Sequence, residues 1–90
     1  MLDTDLLKIL ELARLYEVSK VFLFGSMQTN PSTAKDVDLG IVGASGLNYL
    51  RLAFDLNVSL SKPVDVVNLE ENDYFSQLVQ RDGELLYAKP

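Results

Sequence analysis

Gly25-Ser26 closes an apolar run, Val21-Phe22-Leu23-Phe24, and after nine intervening residues comes Asp36-Val37-Asp38-Leu39-Gly40-Ile41. Two carboxylates two residues apart in a strand point to the same face, because strand side chains alternate. A Gly-Ser pair at the end of an apolar strand offers small residues and free backbone N–H groups where a phosphate can approach closely. A third acid, Asp65, lies in a second apolar run, Val64-Asp65-Val66-Val67. A carboxylate flanked by valines calls for a partner or a cation. Three acids and one phosphate-sized notch are the minimal set for holding Mg²⁺ against a nucleoside triphosphate. Two other phosphate and metal motifs are excluded. An EF-hand needs an acid and then a glycine where Gly40 and Ile41 stand, and no Gly-Lys-Ser/Thr follows the strand as a P-loop would require.

These residues carry a resemblance. The Gly25-Ser26 pair, the spacing to Asp36-Val37-Asp38 and the acid Asp65 in a hydrophobic strand resemble the nucleotidyltransferase signature of the DNA polymerase β superfamily. In size the chain is similar to the minimal nucleotidyltransferase (MNT) branch, whose members are often antitoxins paired with a HEPN-type helical partner. The ending Arg81-Asp82-Gly83-Glu84-Leu85-Leu86-Tyr87 is similar to the way such domains close. The resemblance implies an Mg²⁺-dependent transfer of a nucleoside monophosphate, with ATP as the expected donor. Asp36, Asp38 and Asp65 would be the catalytic and metal-holding acids, and Gly25 and Ser26 the nucleotide-binding pair. The expected acceptor is a hydroxyl of a partner protein. The chain departs from the pattern in one respect: Met27-Gln28-Thr29-Asn30 follows Gly-Ser where many such domains carry an arginine, and Lys35 is the only basic residue between Gly-Ser and the acids.

Several function classes are excluded by composition. The 90 residues contain no cysteine and no histidine, so thiolate metal sites, disulfides and imidazole acid–base chemistry are unavailable. The net charge is −5 and the eight basic residues are scattered. Without a basic stripe to displace counterions, direct nucleic-acid binding is not expected. No apolar run approaches the ~20 residues of a membrane span, and the acidic N-terminus is unlike a secretory signal, so the expected location is the cytoplasm. A chain of this length is expected to form one domain over residues 1–90, burying about 60–65% of its unfolded surface. That leaves no separate lobe for a small-molecule acceptor.

The elements that must position the acids follow from periodicity. A first helix, capped by Asp3 or Thr4, reaches about Tyr16. Its polar positions are Asp5, Lys8, Glu11, Arg14 and Glu17, and its apolar surface is wider than an ordinary amphipathic stripe. Strands are expected over Val21–Phe24, from about Asp36 to Val42, and over Val64–Leu69, with a short helical turn at Ser26–Thr29. A second long helix over about Leu47–Leu60 carries Leu47, Leu50, Phe54 and Val58 on one side. Asn72 is expected to cap a helix with Tyr74, Phe75, Leu78 and Val79 at amphipathic spacing, and Glu84–Tyr87 forms a closing strand. The expected class is α/β (α+β), a small mixed sheet packed with helices. Its order is α-β-α-β-α-β, followed by a C-terminal helix and a short strand. The helical crossover between the second and third strands suits a parallel pair, which brings Asp36 and Asp38 towards Asp65. If the first strand is antiparallel to the second, as in the resembled fold, Gly25-Ser26 reaches the same edge. The wide apolar helix faces leave two readings open, packing against the sheet or docking of a second chain, including homo-oligomerisation. Two other functions also remain open: a non-catalytic binding subunit, and an antibiotic-type small-molecule transferase.

Overall fold

The computed structural model describes residues 1–70 and 73–90. In chain order it contains α1 (Asp3–Leu15), β1 (Lys20–Phe24), α2 (Ser26–Thr29), β2 (Val37–Val42), α3 (Gly46–Ser59), β3 (Val64–Asn68), α4 (Tyr74–Asp82) and β4 (Glu84–Ala88). The four strands form one mixed sheet in the order β3-β2-β1-β4. β1 is antiparallel to both β2 and β4, and β2 and β3 are parallel. This is the small mixed α+β sheet packed with helices that the element order implied, with the strand directions that the resemblance suggested.

Alternation in the central strands builds two layers. Val21 and Leu23 of β1, Val37, Leu39 and Ile41 of β2, and Val64 of β3 pack with Ile9 and Ala13 of α1 and Leu52 and Leu56 of α3. The opposite sheet face is covered over a smaller area, where Phe22 packs with Leu69 and Val79. Gly40 makes that second contact possible, since a Cβ there would lie 2.5 Å from Leu69 Cδ1. The covering is partial, and the end of the face that carries the acids is open.

Several sequence expectations are corrected. No side chain caps α1: the N-cap position is Leu2, although Asp3 and Asp5 in the first turn suit the helix dipole. Asp5, expected on the polar side, is buried and accepts hydrogen bonds from the Ser61 N–H and hydroxyl. α1 therefore buries a stripe of Asp5, Ile9 and Ala13 and leaves Leu7 and Leu15 exposed.

On α3, where both readings of the apolar face were open, the stripe named from the sequence faces away from the sheet. Leu52 and Leu56 are buried, whereas Leu47, Leu50, Phe54 and Val58 are 58–65% exposed. Polar side chains fix this rotation. Asn57 exchanges hydrogen bonds with Val64, donating to its carbonyl at 2.9 Å and accepting from its N–H at 3.0 Å. The Tyr49 hydroxyl donates to the Val66 carbonyl at 2.9 Å.

Asn72, the expected cap of α4, lies outside the described residues. The N-cap seen is Asp73, whose carboxylate accepts from the Ser76 N–H at 2.7 Å. In α4 the buried residues are Ser76 and Val79, and Tyr74 and Phe75 face outwards. Among the described residues, no helix is long and apolar enough to cross a membrane.

Candidate functional site

The candidate site is assembled by the sheet register. In the parallel pair Asp38 stands directly beside Asp65, and in the antiparallel pair Phe24 stands opposite Asp38. Directly paired residues share a face, so both carboxylates and the Phe24 ring lie on the incompletely covered side. Asp36 is exposed and stands one residue before β2, not inside it as expected. Asp65 is exposed as well. Its valine neighbours suggested burial, but β3 is an edge strand.

Gly25 completes the arrangement. It follows β1 with φ +70°, a conformation that glycine tolerates and other residues resist. A Cβ at this position would lie 2.1 Å from Asp38 Oδ2. The Asp38 carboxylate thus rests against the Gly25 backbone, and Ser26 begins α2 immediately beyond. The carbonyl of Gly25 accepts from the N–H groups of Gln28 and Thr29 and from the Thr29 hydroxyl. Gln28 Nε2 donates to the Asp82 carbonyl at 2.8 Å, tying α2 to the end of α4. All five residues singled out from the sequence therefore sit at one edge of the sheet.

Their charges are poorly balanced. Partial burial, then the charges of Asp65 and Asp36, then a hydrogen bond with Asp65 raise the Asp38 carboxyl above its ordinary pKa of 3.8. No basic residue lies on α2, whose sequence is Ser-Met-Gln-Thr. Oxygen donors of this kind are those that Mg²⁺ prefers. Among the described residues, no group of three acids is close enough to hold a metal by itself. The adjacent pair is Asp38 and Asp65, and Mg²⁺ is commonly held by one or two carboxylates together with substrate phosphates. Among the described residues there is also no enclosed pocket, so a ligand here would lie across an open surface.

Two aromatic residues near the acids were not recognised as part of this region. Phe24 is adjacent to Gly25, and Phe75 meets it edge-on, with ring centroids 5.7 Å apart and planes at 78°. The position of Phe24 next to Gly-Ser was a usable sequence signal. The approach of Phe75 depends on how α4 lies over the sheet, and no local pattern encodes that.

A mixed sheet with a Gly-Ser turn and acids on adjacent strands defines a nucleotidyltransferase fold. The chain belongs to the polymerase beta nucleotidyltransferase family, whose sequence profile matches residues 7–90. No curated protein matches it. Among solved structures it is similar to a chain of a toxin–antitoxin complex with AMP-PNP, at 26% identity and a TM-score of 0.75. That match covers 93% of this chain and 73% of the other. It is similar to a chain of the MntA–HepT toxin–antitoxin pair at 25% identity and a TM-score of 0.68, covering 94% of this chain and 71% of that one. A third similar structure is a tri-AMPylated Shewanella oneidensis HEPN toxin in complex with an MNT antitoxin. There the identity is 25% and the TM-score 0.69, again over 94% of this chain and 71% of the other. The chain is a nucleotidyltransferase domain similar in structure to the MNT antitoxin of such pairs.

Proposed function

We propose that this chain transfers AMP from ATP to a hydroxyl of a HEPN-type helical partner, as the antitoxin of a toxin–antitoxin pair working in the cytoplasm. The single observation that carries the reading is the register-enforced pairing of Asp38 with Asp65 against Gly25. It places two hard anionic donors at the end of a strand that finishes in Gly-Ser. The similar structures with AMP-PNP and with an AMPylated HEPN toxin support the choice of nucleotide and partner.

In this reading Asp36 and Asp38 would hold the metal that accompanies the triphosphate, and Asp65 would help to hold a second one. Bound Mg²⁺ supplies positive charge against the phosphates and the leaving pyrophosphate. Gly25 leaves room for the Asp38 carboxylate and for the phosphate chain. Ser26, with the N–H groups beside it, holds the β- and γ-phosphates. The acceptor oxygen attacks the α-phosphorus, the bond from that phosphorus to the β-phosphate bridge breaks, and pyrophosphate leaves. Asp65, exposed at the edge, takes the acceptor proton. Catalysis of this type is chiefly positioning and charge stabilisation, so loss of one acid is severe.

The open site needs its acceptor presented from outside, because the fold provides no lobe for a small molecule. The exposed stripe Leu47, Leu50, Phe54 and Val58 on α3, which covers the sheet face opposite the acids, is the surface proposed to dock the partner, whose acceptor then reaches the acids around the end of the sheet. A second reading, a binding subunit that neutralises its partner by docking alone, is favoured by the lack of any basic residue on α2.

Incubation with the partner, Mg²⁺ and labelled nucleoside triphosphates decides between them. Transfer predicts covalent label on the partner, lost in both Asp36→Asn and Asp65→Asn. An unlabelled partner that is still neutralised, equally well by both variants, would establish docking without chemistry.

A further inference from the structure

The proposed chemistry uses the acids and Gly-Ser but gives no role to the aromatic pair beside them. Phe24 is the cross-strand partner of Asp38 and immediately precedes Gly25, so its side chain shares the face of the acids, about 5 Å from Asp38 across the sheet. Phe75 lies a further 5.7 Å away, centroid to centroid, in an edge-on contact. Such a contact leaves at least one face of the Phe75 ring uncovered by Phe24, and the residue is 46% exposed. The ring is therefore only half covered, while the same helix seats itself through Ser76 and Val79.

We propose that Phe75, braced by Phe24, is the platform on which the base of the donor nucleoside triphosphate stacks. The proposal rests on the reading of Asp36, Asp38, Asp65 and Gly25-Ser26 as the triphosphate site. With the phosphates at the acids, one cross-strand step of about 5 Å from Asp38 reaches Phe24, and Phe75 of α4 packs on that ring, so the aromatic pair lies within a nucleoside's reach of the phosphates. The charge pattern gives an independent reason. α2 carries no basic residue, so affinity that other phosphate sites draw from a guanidinium or ammonium has to come from elsewhere, and stacking supplies it. With no enclosed pocket around the ring among the described residues, recognition rests on the π-face of the base and not on its hydrogen-bonding edge. Such stacking tolerates different bases.

The test compares ATP with inorganic tripolyphosphate, each titrated calorimetrically into the intact chain with Mg²⁺. ATP is expected to bind at least about tenfold more tightly, within the range that base–aromatic stacking spans. Phe75→Leu should remove this preference and leave tripolyphosphate affinity unchanged, and Phe75→Trp should retain it. Equal affinity for the two ligands, or an unchanged ATP affinity in Phe75→Leu, overturns the platform while the triphosphate site stands. Weakening of both ligands together in Phe75→Leu makes the ring a scaffold element and also overturns it. Failure of the unaltered chain to bind either ligand removes the triphosphate site and the platform with it.

Discussion

Asp38 is placed where its negative charge is least comfortable. It is partly buried, faces Asp65 across the parallel pair, feels Asp36 and presses against Gly25, so its carboxyl holds a proton more firmly than an ordinary aspartate does. A cation with a triphosphate would reverse that balance. Asp38→Asn should therefore leave the ligand-free fold at least as stable, because the amide can donate to Asp65 in place of a like charge. The same variant should lose the stabilisation by Mg²⁺–ATP. At a hundredfold excess over Kd that stabilisation is ~2.7 kcal/mol, on the order of 10 °C or more in Tm for a domain of this size. Melting curves with and without Mg²⁺–ATP check both parts. Gly25→Ala should behave differently. Its methyl group would occupy the space of Asp38 Oδ2 and would sit at a positive φ, so it should lower the ligand-free Tm and also remove the ligand shift.

Among the elements, the two ends of the helices show how local chemistry fixes boundaries. α1 stops in a Schellman motif: the Val18 N–H donates to the Ala13 carbonyl and the Glu17 N–H to the Arg14 carbonyl, each at 3.1 Å. Val18 and Ala13 bury against one another's surroundings in the core. The motif favours glycine at the position held by Glu17, whose φ is 54°. Glu17→Gly should stabilise the fold by roughly 0.5–1 kcal/mol, because relief of the left-handed penalty exceeds the added entropy of the unfolded chain. A denaturant titration would show a higher midpoint at unchanged slope. At the start of α4, the Ser76 N–H and then its hydroxyl hold the Asp73 carboxyl below its ordinary 3.8. The folded state thus favours the deprotonated form more than the unfolded chain does. The contribution is complete above pH 3.8 and is lost as pH falls from there through the lowered folded value. Asp73→Ala should lower Tm at neutral pH, and the gap to the unaltered chain should narrow below pH 3.8.

For the molecule as a whole, the decisive fact is which side of α3 faces the sheet. Leu52 is 1% exposed and Phe54, two residues on, is 63% exposed. Leu52→Ala should cost about 2–5 kcal/mol, a large part of the stability of a domain this small, and would be read as a collapsed unfolding midpoint. Phe54→Lys should leave the midpoint nearly unchanged and break the complex with the proposed helical partner, as followed by size-exclusion chromatography of the mixed proteins. Unfolding by Phe54→Lys would return the stripe to the core. Self-association of the isolated chain that disappears with Phe54→Lys would show that a second copy covers the same stripe.

What the sequence by itself determined was the strand core and which candidate acids could meet at one end of it. Strand periodicity, Gly-Ser at a strand end and a crossover long enough for a helix are local features. Together they leave few arrangements for Asp36, Asp38 and Asp65, and the register followed. Helix faces were less legible. Leu47, Leu50, Phe54 and Val58 recur at helical spacing as well as Tyr49, Leu52, Leu56 and Leu60 do, and periodicity cannot choose between two apolar stripes. The choice was made by contacts distant in sequence, such as Tyr49 with Val66 and Asp5 with Ser61. Asp65 shows the same limit in reverse: its valine neighbours implied burial, and only the edge position of β3 exposes it. The approach of Phe75 to Phe24 joins residues 51 positions apart, a distance at which only the packing of α4 over the sheet decides what meets.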